Sequence, residues 1–586
     1  DTAGRYGIQF DAPVITFNDE KLLEASCLGY LKTLSVPKKK ALRAIELAKK
    51  AQTEYLQTLT KRSMEVLEKA NNEGRIVILL AGRPYHADPF IEHKISHAIA
   101  DMGIDVITEN IAVDEGSAIY NELNAVSQWA YPNRIFKAAS FVANSNMNLH
   151  YVELTSFGCG PDAFILDEVG SILKRRGKNI TVLKIDDVNN IGSLRLRIRS
   201  LVESLKLKSE LEINYSDNKI NNLSRTKVFT IEDRKRTIIA PYFAEGYSEF
   251  LPSLFKLLGY NFVNLPMGNQ EAANVGLKHA NNEICYPSTI VIGSIIMALQ
   301  SGKYNLDDIA VIITQTGGQC RASNYLALIK NAVVEAGYTN VPVLSLEIGG
   351  DLQNSQPGFT PNWKSIAKIT IYVMLYADCI NKLYYASVVR ENQKGISKRL
   401  KDKYTEAAFP YIEKRDYDGL LGLLKIAVKD FTDAIDKEKK VARIGIVGEI
   451  YVKYNAFSNQ YAVDWLINQG IEVVAPSIYN FFTMTLVNSH INKEKHIKKE
   501  KLPLFAIDMI YMYIRHNVRK FDKICKAFPF YQPFSNIFKD EKLASKIVNT
   551  AANFGEGWLI PAELSNLAEH GVHNVVSMQP FGCIAN

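Results

Sequence analysis

Short apolar runs closed by glycine recur along the chain. The first is Arg75-Ile-Val-Ile-Leu-Leu-Ala-Gly82, followed by a polar loop, a helical stretch, Gly103 and a second apolar run, Ile104-Asp-Val-Ile107. The plan returns as Thr237-Ile-Ile-Ala-Pro241, a helix, Gly259 and Tyr260-Asn-Phe-Val263, and again as Arg443-Ile-Gly-Ile-Val-Gly448, a helix, Gly470 and Ile471-Glu-Val-Val474. An apolar run, a turn, a helix, a glycine and another apolar run make a βαβ unit, whose crossover requires parallel strands. The pattern predicts an α/β protein of several doubly wound parallel-sheet (Rossmann-like) lobes joined by helical segments.

The intervening segments read differently. Pro37 to Asn72 carries Ala, Leu, Lys and Glu at helical spacing, so residues 1–72 are expected to be mostly helical. Residues 73–213 form the first α/β lobe and 236–350 the second, with the polar stretch 214–235 as linker. Residues 351–440 read as a helical connector, and 441–586 as a third lobe with a helical insertion over about 484–550. The run Lys493-Glu-Lys-His-Ile-Lys-Lys-Glu-Lys501 is mixed in sign and reads as a solvated helix face rather than a nucleic-acid patch. The strand His573-Asn-Val-Val-Ser577 and its loop Gln579-Pro-Phe-Gly-Cys583 call for a following helix, so the chain is expected to be cut short there, and its start at Asp1 suggests the same upstream.

Composition narrows the function. The 586 residues are 47% hydrophobic and 22% charged with a net charge of +7, the profile of a soluble protein that builds real cores. No segment reaches the roughly 18 consecutive apolar residues of a membrane span. Seven cysteines form no Cys-x-x-Cys pair, which excludes zinc ribbons, thioredoxin-like sites and simple ferredoxins and points to a reducing, cytoplasmic compartment. There is no Gly-x-Ser-x-Gly elbow, no phosphate-binding Gly-x-x-x-x-Gly-Lys loop and no dinucleotide fingerprint after the first strand of any lobe.

Four cysteines share one kind of address. Cys159 follows the run Tyr151-Val-Glu-Leu154, Cys320 follows Ala310-Val-Ile-Ile313, Cys583 follows the last strand, and Cys285 precedes the apolar helix Ser288 to Leu299. Each sits at the carboxyl end of a strand or the start of a helix, where doubly wound sheets bind ligands and unpaired N–H groups favour anions. Cys27, Cys379 and Cys525 lie in helical patterns and read as core or surface residues. His86, His93 and His97 are close in sequence, with His93 and His97 at i,i+4 spacing, but the His-Glu-x-x-His form of a metalloprotease is absent.

At these positions the chain resembles the large acyl-CoA dehydratase activase-related proteins, whose cluster modules are similar to the D-component of 2-hydroxyglutaryl-CoA dehydratase and to double-cubane cluster proteins. The resemblance covers residues 73–586. It rests on Gly82-Arg-Pro-Tyr-His86, Ser156-Phe-Gly-Cys-Gly-Pro-Asp-Ala163, Asn282-Glu-Ile-Cys-Tyr-Pro-Ser288, Gln315-Thr-Gly-Gly-Gln-Cys-Arg-Ala322, Gly555-Glu-Gly-Trp558 and Gln579-Pro-Phe-Gly-Cys583. It implies that Cys285, Cys320 and Cys583 form one full set of cluster ligands and that Cys159 is the last member of a preceding set. Two features depart from the family: Ser577 stands where relatives often carry a further cysteine, and no ATP-binding activase module is present.

The function the resemblance implies is low-potential electron transfer at a 4Fe–4S cubane, as in an iron–sulfur lyase of the 2-hydroxyacyl-CoA dehydratase kind. Its alternatives are an 8Fe–9S double-cubane reductase of small molecules, with Cys159 joining the ligand set, and an idle scaffold that docks an activase. Arg321, beside Cys320, would balance charge or bind an acyl or phosphate group. The implied partners are an ATP-dependent activase module, fused upstream or separate, an acyl-CoA or other small substrate, and a second copy of the chain.

Overall fold

A computed structural model describes the chain apart from residues 1–6, 8–10, 18, 89–90, 92–93, 113–122, 124–128, 157–158, 186–190, 211–224, 282, 316–320, 348–353, 581–582 and 584–586, and gives backbone only at 87, 191, 208–210, 321 and 347. Among the described residues two helices come first, α1 (Glu20–Thr33) and the long α2 (Lys38–Asn72). The N-terminus of α1 is capped by Asp19, whose side chain accepts the backbone N–H groups of Lys21 and Leu22.

The first lobe holds β1 (Val77–Ala81), α3 (Ile95–Ala100), β2 (Asp105–Thr108), α4 (Ala130–Asn144), β3 (Leu149–Ser156), α5 (Gly160–Lys174), β4 (Ile180–Ile185) and α6 (Ile191–Glu210). The second holds β5 (Thr237–Ala240), α7 (Leu251–Leu257), β6 (Phe262–Asn264), α8 (Gln270–His279), α9 (Tyr286–Gln300), β7 (Ile309–Gln315), α10 (Tyr325–Glu335) and β8 (Val343–Glu347). Three connecting helices follow, α11 (Trp363–Val388), α12 (Ile396–Glu413) and α13 (Tyr417–Asp433). The third lobe holds β9 (Arg443–Gly448), α14 (Ile450–Tyr454), α15 (Ala462–Asn468), β10 (Glu472–Val474), α16 (Ile478–Glu494), α17 (Leu504–Cys525), α18 (Ile537–Ala544), α19 (Leu559–Glu569) and β11 (Val575–Met578).

The three sheets share one wiring, β2-β1-β3-β4, β6-β5-β7-β8 and β10-β9-β11, and every described strand pair is parallel. In each, the chain moves outward from the first strand to one side and then returns to its other side. The reversal leaves a crevice at the carboxyl ends of β1 and β3, of β5 and β7, and of β9 and β11. The central strands are apolar on both faces, as in β1, which is buried along its whole length.

Helix α9 is apolar all round and buried on nearly every side. Its approach to α8 is set by two glycines: a Cβ on Gly293 would lie 1.7 Å from the carbonyl oxygen of Ala272, and one on Gly276 would lie 1.9 Å from that of Thr289. The connecting helices and α17 build the largest core, around Tyr376, Tyr404, Phe431 and Phe521.

Three local readings change. The basic run 493–501 is not a helix face: α16 ends at Glu494, and His496 takes a left-handed conformation (φ 53°) before the loop to α17. Closely spaced lysines repel at helical spacing, and a left-handed residue just past the last turn ends a helix. His97 is exposed on α3, which begins at Ile95 after the left-handed Lys94, and the His93 half of the expected pair lies outside the described residues. Of the expected linker, 214–224 lies outside the described residues, whereas Phe229 is buried in the second lobe and Asp233 binds Lys227 and Arg236 at 2.7 Å each.

Candidate functional site

Helices that follow the carboxyl ends of the three sheets contribute to one shared core. Cys285 caps the start of α9 with extended backbone, and its carbonyl accepts the Ser288 N–H at 3.0 Å and the Ser288 hydroxyl at 2.9 Å. The thiol is 5% exposed and lies 2.8 Å from the hydroxyl of Tyr325, the first residue of α10. The same continuous core takes in Ala163 from α5 of the first lobe and Tyr451 from α14 of the third. Polar bonds reinforce these contacts. The Asn281 amide donates to the Ala163 carbonyl at 3.1 Å, Lys184 pairs with Glu283, and the Glu245 N–H donates to the Tyr454 carbonyl at 3.1 Å.

Cys159 stands at the start of α5, in the crevice of the first lobe. The Arg83 guanidinium donates to its thiol and, at 2.8–2.9 Å, to the Asp162 carboxylate. Burial pushes the Cys159 thiol pKa up, as does nearby Asp162, while Arg83 opposes the shift. His86 accepts the Arg83 N–H on Nδ1 at 3.1 Å, which leaves the Nε2–H of a neutral ring facing Ser156 Oγ at 3.0 Å. Burial, with Arg83 adding to it, lowers the His86 pKa to about 4, so the ring is neutral near pH 7.

Cys583 is half-buried in the turn after β11, and its N–H donates to the Pro580 carbonyl at 3.2 Å. Cys320 lies outside the described residues. Arg321 opens the short turn Arg321–Asn324 that leads into α10, its side chain likewise outside the described residues. Among the described residues, no three His, Cys, Asp or Glu side chains converge as a metal would require. Cys159 and Cys285 occupy two different settings, one against Arg83 and one against Tyr325.

The third crevice holds acids that the sequence reading did not single out. Glu449 follows β9 directly and accepts the Val452 N–H at 2.8 Å, and Glu556 accepts the Ile450 N–H at 2.9 Å. Burial, then the neighbouring Glu556 carboxylate, raises the Glu449 pKa to about 8. Lys453 and Glu563 form a buried ion pair at 3.0 Å. The signals were present as a Gly-Glu step at a strand end and a Glu between two glycines at 555–557, but a carboxylate next to glycine is common in turns and carries no chemistry alone.

Fold and site together define a multi-lobe α/β protein whose polar chemistry is gathered at the carboxyl ends of three parallel sheets. Residues 2–111 match the family model of the CoA enzyme activase uncharacterised domain, so the chain carries a CoA enzyme activase-related domain over that stretch. The match runs from the N-terminal helices through β1 and β2 into the first crevice, taking in Arg83 and His86. No curated protein and no solved structure matches the chain. Among the described residues, no helix is long and apolar enough to cross a membrane.

Proposed function

We propose that this chain is an iron–sulfur protein of the acyl-CoA dehydratase activase-related kind, holding its cluster on Cys285, Cys320 and Cys583, with Cys159 as a further thiol at the edge of the site. The observation that carries this reading is the shared core: Ala163, Cys285, Tyr325 and Tyr451, from helices that follow the sheet edges of all three lobes, all belong to it. Cys285 lies at a helix start and Cys583 in the turn after β11, and Cys320 falls in the sequence between β7 and α10; backbone N–H groups at strand ends and helix starts favour anionic sulfur.

The donor chemistry fits such a group. Cys285 is a thiol in an apolar wall at the start of a 15-residue helix, and the Tyr325 hydroxyl beside it can donate to the thiolate form. Tyr325 also ties Cys285 to the helix that follows position 320, which favours a shared site for the two thiols. Arg321 would offset the negative charge of the set or hold an acyl or phosphate group. When bound, the cluster would supply one low-potential electron to a 2-hydroxyacyl thioester and so labilise its 2-hydroxyl group. The partner on this reading is an ATP-dependent activase.

Anaerobic reconstitution with iron and sulfide tests the proposal. About four irons per chain fits a single cubane and about eight a double cubane. Cys285→Ser, Cys320→Ser and Cys583→Ser should each lose most of the iron and its visible absorption, whereas Cys27→Ser should keep both. Iron binding that survives all three serine variants, or no iron at all, would overturn the assignment, and no iron would leave the docking scaffold as the reading.

A further inference from the structure

The first lobe carries a second polar cluster, behind Cys159, that the cluster chemistry does not use. Residues alternate along β3: Val152 and Leu154 face the core under α6, whereas Tyr151, Glu153 and Thr155 face α4 and α5. Thr155 is 1% exposed, and its hydroxyl has no hydrogen-bond partner among the described residues. Trp129, at the start of α4, rests its ring on Phe164 of α5 with centroids 5.2 Å apart, and its buried indole N–H is likewise unpaired. One turn along α4, Arg134 uses its terminal nitrogen on Glu109 (3.3 Å) and Asn110, but its buried Nε–H bonds none of the described residues.

We propose that this crevice, at the carboxyl ends of β1 and β3 beneath α4 and α5, is a binding site for a small carboxylate or an oxyanion of similar shape. Buried polar groups are nearly always paired, and each one left unmade costs about 1–3 kcal/mol. Here three such groups belong to elements at the carboxyl edge of one sheet: Thr155 near the end of β3, Trp129 at the start of α4, and Arg134 beside Glu109 and Asn110 just after β2. The indole and guanidinium nitrogens can only donate, so the missing partner is rich in acceptors. A water accepts about two hydrogen bonds, a carboxylate about four.

Charge allows it. Arg83 is matched by Asp162 and Arg134 by Glu109. Glu153, 1% exposed and receiving the Tyr151 hydroxyl at 2.6 Å, is kept protonated by burial, its pKa raised to about 8. It therefore offers an O–H rather than a charge. The 15-residue α5 also starts at this edge and adds backbone donors. The groups facing Glu153 are Tyr151 on its own strand, Asp162 on α5, Glu109 after β2 and Arg83 after β1. When Glu153 ionises, a negative charge appears beside Glu109 and Asp162, and an anionic ligand is expelled.

The test uses the full chain without metal, so it stands apart from the iron proposal. Formate, acetate, lactate and inorganic phosphate are titrated separately while tryptophan emission and thermal stability are followed. At least one should bind saturably near neutral pH. Thr155→Val, which fills the same space without the hydroxyl, and Arg134→Gln should each weaken that binding about tenfold, one hydrogen bond's worth. Binding should fade above about pH 8, and Glu153→Gln should remove that loss. No saturable response to any of the four, or a response that Thr155→Val, Arg134→Gln and Trp129→Phe all leave unchanged, would overturn the proposal.

Discussion

The Tyr247 hydroxyl donates to the Asp378 carboxylate at 2.7 Å, joining the second lobe to the long connecting helix α11. The same carboxylate accepts the N–H of Ile478 at 3.0 Å and of Tyr479 at 3.3 Å, at the start of α16 in the third lobe. One buried side chain therefore ties three parts of the chain together. Asp378→Ala should cost about 3 kcal/mol, because it strips three donors of their acceptor in a dry site. Asp378→Asn keeps one oxygen and should cost about 1 kcal/mol. Urea unfolding of both variants measures this, and equal losses would show that the carboxylate is not the tie.

Several buried acids make the fold sensitive to alkali. Burial raises the Glu449 pKa to about 8 with Glu556 adding to the shift, raises Glu153 to about 8, and raises Glu563 to about 7 against the pull of Lys453. A carboxyl whose folded pKa is raised holds its proton more tightly in the folded chain. The stability it lends is complete below the unfolded value near 4.5 and is lost as pH rises through the folded value. The melting temperature should therefore fall as pH rises from about 4.5 to about 8. Glu449→Gln, which mimics the protonated form, should flatten part of that slope in calorimetric scans.

How much of this was legible in the sequence depends on how local the cause is. The repeated run, turn, helix and glycine forecast β1, β5 and β9 and their parallel partners, because strand alternation and left-handed glycines are local facts: Gly103, Gly259 and Gly470 all have positive φ. The helix starts at Cys159 and Cys285 were legible for the same reason, each being followed within two residues by proline. The Arg83–Cys159 and Cys285–Tyr325 contacts were not, since they join residues 76 and 40 positions apart. Nor could Glu153 be told from any polar residue in a strand; its role follows from which face α4 and α5 cover. Cys379 and Cys525 read as ordinary helical residues, and both are fully buried where α11 meets α17.

Close packing of α8 on α9 makes Gly293 a strict position. The Cβ of Gly293→Ala would fall 1.7 Å from a backbone carbonyl, and no side-chain rotation can relieve that contact. The helices must separate, at a cost of roughly 2 kcal/mol or more. Because Cys285 starts α9, the shift should also raise its alkylation rate in the folded chain, read by mass spectrometry of the labelled peptide. Gly422→Ala, on α13 with open space around it, is the control and should be neutral or slightly stabilising.

His86 sets the acid limit of the first lobe. Its ring is 1% exposed and held between the Arg83 N–H and Ser156, and burial lowers its pKa from 6.5 to about 4. A histidine kept neutral in the folded chain lends stability that is complete above its unfolded pKa. That stability is lost as pH falls from 6.5 through about 4, because the unfolded chain takes up the proton first. The shift corresponds to about 3 kcal/mol. A glutamine at this position would keep a neutral acceptor and donor but could not titrate. His86→Gln should therefore lose less stability than the wild-type chain when urea unfolding at pH 6.5 is compared with that at pH 4.5. Carbon-detected NMR of the wild-type ring should show the Nε2–H tautomer at neutral pH, and a His86 signal that titrates near 6.5 would refute the buried neutral state.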